Sequence, residues 1–261
     1  MRKQKRFEKY KLNKGIYILP NLFTSLNLFC GFYAIIAAIE EKYSIAAVSV
    51  IIAIMFDILD GKIARATKTT SRFGVEYDSL ADLVSFGVAP GLMMYLWALK
   101  PYGRLGWLAA FLFMACGALR VARFYTQAGS VPGDYFVGLP IPAGAGMNAV
   151  TLLLFSRFDM GGETNPVLIL VMLYVLSFLM VSPIKYNSFK KPELFRRINF
   201  HMLVTALLVL IFIAAQPSIA LFLLGLAYVI SGPLTTLRYY RSMKHKKPEI
   251  RENEERGSNT V

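Results

Sequence analysis

From Leu19 to Ile39 the sequence is LPNLFTSLNLFCGFYAIIAAI, without one charged side chain. A stretch of that length closes off most soluble folds. A helix rises about 1.5 Å per residue, so about 20 apolar residues cross the hydrocarbon layer of a bilayer. Runs of similar character recur near residues 44–65, 75–99, 105–126, 141–157, 166–183, 200–216 and 218–238. They are apolar all round, whereas a helix on the surface of a soluble core keeps a polar face. Composition agrees: 56% of residues are hydrophobic and 17% charged, against about 45–50% and about 25% in ordinary globular chains. The sequence therefore predicts an all-α, multi-pass integral membrane protein with about eight transmembrane helices. The first run follows 18 mostly polar residues and is itself of spanning length. That pattern is expected of an anchor rather than of a cleavable leader.

Charge sets the expected topology. An even number of spans puts both termini on one side. The face holding both tails, the 2–3 link, the end of span 4 and the 6–7 link then carries 25 of the 29 Lys and Arg residues. Only Lys42, Lys100, Arg104 and Arg157 fall opposite. Under the positive-inside rule the basic face is cytoplasmic. The same distribution argues against nucleic acid as the reason for a net charge of +13, because basic segments beside spans anchor on anionic headgroups. Residues 1–18 are expected as a basic cytoplasmic tail. Residues 239–261 are expected as a cytoplasmic tail whose composition favours disorder. Cys30 and Cys116 lie within apolar segments without metal-ligand spacing and are expected as small buried side chains.

Against this apolar background, residues 56–87 hold five of the sixteen acidic residues. Asp57 and Asp60 stand three apart at the end of the second span, and Asp78 and Asp82 four apart at the start of the third. Both spacings stack side chains on one helix face. The polar link TKTTSRFG joins the two spans into a hairpin, so two carboxylate pairs can face each other. Held together in a partly dry site they repel, and a cation must offset them. Carboxylates at helical spacing suit a hard divalent cation such as Mg²⁺ or Mn²⁺, which then awaits phosphate oxygens. Gly61 and Ala64 remove bulk where a ligand could approach. Arg65, Lys68 and Arg72 offer positive charge, arginine through its bidentate fork. A pair of aspartates alone would equally suit a structural contact or a proton path. The full spacing, D-x2-D-G-x2-A-R-x8-G-x3-D-x3-D, is far more restrictive.

In that spacing the sequence resembles the CDP-alcohol phosphotransferase family at Asp57, Asp60, Gly61, Ala64, Arg65, Gly74, Asp78 and Asp82, without departure. The resemblance implies a six-helix catalytic core, here residues 19–183, with residues 184–238 adding a cytoplasmic link and two further helices. It implies two metal ions, Mg²⁺ or Mn²⁺, on Asp57, Asp60, Asp78 and Asp82, with Asp82 also the general base. It implies that Gly61, Ala64, Arg65 and Gly74 receive a CDP-linked lipid from which an alcohol displaces CMP. A homodimer is the implied assembly.

The flanking segments LPNLFTSLNLFCGFYAI, DSLADLVSFGVAPG, LRVARF and FVGLPIPAGA resemble family members that use CDP-diacylglycerol and L-serine. Serine brings a carboxylate and an ammonium. Arg120 and Arg123 can share a helix face and offer guanidinium forks to the carboxylate, or serve only as flanking charge. The Gly- and Pro-rich segment 129–146 is either a pocket wall or a plain turn. Asn21, Thr24 and Asn27 recur every three residues in the first span, where they reach the nucleotide or bond between helices. Two rivals stand beside this reading. Another acceptor, glycerol 3-phosphate or inositol phosphate, would require a denser basic pocket. A cation transporter would place carboxylates towards the midplane rather than at one face.

Overall fold

A computed structural model of the chain describes residues 2–67, 71–127, 135–162, 166–187 and 200–236. Its first helix, α1, runs Arg2–Ile39. It is followed by α2 (Tyr43–Thr67), a long helix α3 (Arg72–Tyr102) and α4 (Arg104–Gln127). A short strand β1 (Tyr135–Val137) precedes α5 (Ile141–Arg157) and α6 (Pro166–Val181). A second strand β2 (Lys185–Asn187) leads to α7 (Phe200–Ala215) and α8 (Pro217–Thr236). The eight helices fall where the apolar runs place them. Five of them, taking α1 from Leu19, are long and apolar enough to cross a membrane; α5, α6 and α7 are shorter. The all-α multi-pass class is thus borne out.

Lipid explains both faces of these helices. Outward side chains such as Phe29, Phe32, Leu168 and Phe178 are exposed, which hydrocarbon tolerates and water would not. Between helices, small residues dominate. Ala34, Ala37 and Ala38 of α1 and Ala46, Ala47 and Ala53 of α2 are buried, letting the two backbones approach closely where no hydrophobic effect drives association. Hydroxyls inside the apolar spans donate within their own helix: Ser49 to Ile45, Thr151 to Met147 and Ser177 to Leu173. No water is available there to satisfy them.

The helix ends follow from local chemistry. At the end of α1 the Lys42 amide bonds the Ala37 carbonyl and the Glu41 amide that of Ala38, with Glu41 left-handed at φ 61°. This double bond closes the helix and turns the chain into α2. Ser71 caps α3 by accepting from the Gly74 amide. Within α3 the hydrogen-bond ladder widens twice, over Leu83–Val88 and Tyr95–Leu99, where amides reach back five residues, Ala89 to Val84 and Lys100 to Tyr95. Such π turns carry one residue more than the α ladder holds.

The backbone is helical from Arg2, so α1 runs on through the basic N-terminal segment. The links after α4 and α6 also pair as an antiparallel ribbon, Tyr135 opposite Asn187 and Val137 opposite Lys185. Gly138 ends β1 at φ 80°, with its amide bonded to Ile184. A side chain there would run into the Met180 carbonyl. The C-terminal tail, residues 239–261, lies outside the described residues, as does Lys68.

Candidate active site

The hairpin of α2 and α3 brings the aspartates together against α1. Asp57, Asp60 and Asp78 each present a carboxylate oxygen within 4.8 Å of the other two. Asp60 is buried, and its Oδ2 accepts a 3.0 Å hydrogen bond from Thr24 of α1. Asp78 carries one buried oxygen, Oδ1, with no hydrogen-bond partner. Three converging carboxylates with an unsatisfied buried oxygen are a donor set for a hard divalent cation. Charge repulsion would otherwise drive them apart.

Asp82 is held separately. Its Oδ1 accepts a 3.0 Å hydrogen bond from Nδ2 of Asn27, a residue with no exposed surface. Ser85, one turn further on, donates to the Asn27 backbone carbonyl at 3.0 Å. Asn27 is therefore gripped at both its side chain and its backbone by α3. Asp82 remains within electrostatic range of Asp57 and Asp78. The expected four-carboxylate set thus resolves into a cluster of three and a fourth, individually positioned group.

Beside the cluster lies a cleft of about 170 Å³, bounded by Asp60, Gly61, Ala64, Arg65, Gly74 and Asp78 and closed by Pro20, Asn21 and Thr24 of α1. All four residues expected at the nucleotide line it. A Cβ on Gly61 would meet only the Arg65 guanidinium, at 3.8 Å. The protein's own packing does not demand glycine there, which leaves the space to a ligand. Gly74 differs: a Cβ would press on Asn21 Oδ1 at 3.0 Å and Ser71 Oγ at 3.1 Å.

The polar series in α1 divides between helix contact and cleft. Thr24 and Asn27 bond between helices to aspartates, while Asn21 borders the cleft. Sequence reasoning marked these residues but not their partners. The two arginines of α4 separate. Arg120 is within electrostatic range of Asp82 and of Tyr228 on α8, and its Nε is buried without a hydrogen-bond partner. Arg123 directs Nη1 to the Val181 carbonyl at the end of α6, at 3.0 Å. Tyr228 went unmarked in the sequence, being one aromatic residue in an apolar helix.

Comparison with known proteins now bears on this geometry. Residues 17–181 match the family model described as CDP-alcohol phosphatidyltransferase, a span holding all four aspartates and the whole cleft. The chain belongs to the CDP-alcohol phosphatidyltransferase family. It is 37% identical over 217 residues to the CDP-diacylglycerol–serine O-phosphatidyltransferase of Helicobacter pylori, covering 83% of this chain and 90% of that protein. The protein of the same name from Methanocaldococcus jannaschii is 35% identical over 225 residues, 86% of this chain and 97% of its own. The one from Bacillus subtilis is 36% identical over 173 residues, 66% and 92% respectively. Helices α7 and α8 lie beyond the family match.

Proposed function

We propose that this protein is a phosphatidylserine synthase, transferring the phosphatidyl group of CDP-diacylglycerol to the hydroxyl of L-serine with release of CMP. The observation that carries it is the Asp57–Asp60–Asp78 cluster beside an open cleft, in a chain of this family whose relatives bear that activity in their names. The chemistry suits the parts. The serine oxygen attacks the phosphorus bearing the lipid, a new P–O bond forms, and the bond to the bridging pyrophosphate oxygen breaks with its electron pair leaving on CMP.

Asp57, Asp60 and Asp78 would hold the divalent metal, Mg²⁺ or Mn²⁺ and two ions by family resemblance. Bound metal neutralises pyrophosphate charge and stabilises the departing CMP oxygen. Arg65 and the open space at Gly61 and Ala64 receive the nucleotide and its phosphates. Asp82, also a metal ligand by resemblance, accepts the serine hydroxyl proton; that hydroxyl is too weakly acidic to ionise unaided near neutral pH. Arg120 faces the serine carboxylate, supported by its unpartnered Nε and its position near Asp82, while Arg123 stiffens the same corner through α6. The excess of basic residues on one face supports a cytoplasmic site with both termini on that side. The resemblance supports a homodimer of chains, each with a core at residues 19–183 and two added helices.

Purified protein should release CMP from CDP-diacylglycerol in proportion to added L-serine. Glycerol 3-phosphate or inositol phosphate supporting faster release would overturn the acceptor. An active Asp82→Asn variant would remove Asp82 from the proton-accepting role.

A further inference from the structure

A second, larger cavity of about 490 Å³ lies between α2, α5 and α8 and is bordered by Asp57. Its polarity is graded. Asp57 and Tyr228 mark one end; beyond them Ile54, Met147 and Leu221 present apolar side chains. Contacts fix the layers: a Cβ on Gly146 would meet Ile54 at 3.3 Å, and one on Gly225 would meet Met147 at 3.3 Å. From the layer of Asp57 to that of Ile51 the α2 wall extends about 9 Å along the helix axis. Ile58 and Leu224, on facing walls, are 48% and 47% exposed, so the cavity opens sideways where lipid surrounds the helices. The α8 wall is a single stripe, Leu221, Leu224, Gly225 and Tyr228, at the spacing of one helix face.

We propose that this cavity receives one hydrocarbon tail of the CDP-lipid, and that α8, outside the family core, decides which tails the enzyme accepts. The inference rests on the proposed function. Its own support is the continuity through Asp57, which borders both the carboxylate cluster and the cavity. A lipid phosphate held at that cluster borders both the nucleotide cleft, through Asp60 and Asp78, and the apolar, laterally open space, through Asp57. The cavity has no charged group beyond Asp57, so an amino-acid acceptor finds no partner along it. A methylene chain finds continuous contact.

Position 146 is left intact in the test because it packs on α2 beside the carboxylates; position 225 belongs to the outer wall. Gly225→Leu places a branched side chain across the cavity, and Leu221→Phe lengthens the wall at its far end. Serine-dependent CMP release is measured with CDP-dioleoylglycerol and with a dihexanoyl analogue whose tails end near the polar layer. Displacing only two buried methylenes costs about tenfold in lipid affinity. Both variants are therefore expected to lose about tenfold or more in kcat/KM for the dioleoyl substrate, with the dihexanoyl substrate and the serine KM unchanged. The short substrate also reports that each variant folds. Equal losses on both lipids, an unchanged dioleoyl value, or a shifted serine KM would overturn the proposal. A wild-type protein that releases no CMP with serine from either lipid would instead refute the proposed function. Thermal stabilisation by the two lipids would then still read the cavity.

Discussion

Replacing Asn27 with alanine tests the site at the point where structure adds most to sequence. The Asn27 amide gives Asp82 a 3.0 Å hydrogen bond in a fully buried position. A hydrogen bond to an ionised group contributes about 1.5–3 kcal/mol, and each 1.36 kcal/mol is tenfold in rate. If the bond's whole value lies in holding Asp82 where it can take the serine proton, Asn27→Ala should lower kcat about 10- to 150-fold. The Mg²⁺ concentration giving half-maximal rate should shift far less than kcat, since Asp57, Asp60 and Asp78 converge without Asp82. The assay is CMP release at saturating CDP-diacylglycerol and serine across a metal titration, with thermal unfolding in detergent as the control for folding. Wild-type kcat in Asn27→Ala would show that Asp82 needs no such holding. An intact kcat with a raised metal requirement would return Asp82 to the metal site alone.

Three other outcomes are expected. Chelation with EDTA should abolish CMP release until Mg²⁺ or Mn²⁺ is returned, and turnover that ignores the chelator would refute a metal role for the carboxylate cluster. Gly31→Ala would set a methyl carbon 2.6 Å from Cα and 2.8 Å from Cβ of Ser85; overpacking of this kind costs about 1–3 kcal/mol, read as a lowered unfolding temperature, and an unchanged one would show that α1 and α3 yield freely. Burial pushes the Tyr186 hydroxyl up to about 12, above the ordinary value of about 10. The folded state thus favours the protonated phenol, and that stabilisation is complete below about pH 10 and lost as pH rises through about 12. Melting curves of wild type and Tyr186→Phe should therefore converge over that interval, and parallel curves would contradict it.

The helices were legible because lipid imposes a blunt rule: a spanning segment must be apolar, and every other segment need not be. The aspartates were legible because nothing in lipid favours four of them, so their spacing carries information that ordinary surface charge does not. Partnerships were harder to see. Thr24 and Asn27 were conspicuous as polar residues in α1, yet which aspartate each would meet depends on the rotation of α1 against the hairpin, and the close crossing at Gly31 fixes that rotation. The Tyr135–Val137 and Lys185–Asn187 ribbon left no signal, since two three-residue strands joined across two helices have no periodicity to show. Tyr186 anchors that ribbon to the last helix through its hydroxyl on the Val229 carbonyl and its ring over Gly232. This is long-range contact that no local pattern encodes. The wall that α8 gives to the apolar cavity was invisible for the same reason.

The widened turn at Leu83–Val88 has a consequence for which length changes this protein can survive. The turn begins immediately after Asp82 and stores one residue beyond what an α ladder holds. Removing any one residue from it would restore regular helix and heal the backbone. Because the extra residue is absorbed inside the widened turn, the healed helix would keep Asp78 and Asp82 close to their present direction relative to the membrane-buried remainder of α3. The regular helix at Ala89–Met94 has no such reserve: each residue of a helix turns about 100°, so one residue lost there would swing the carboxylates by about that angle. A one-residue deletion within Leu83–Val88 should therefore leave a protein that still assembles its acidic cluster, whereas the same deletion within Ala89–Met94 should leave one that inserts yet cannot.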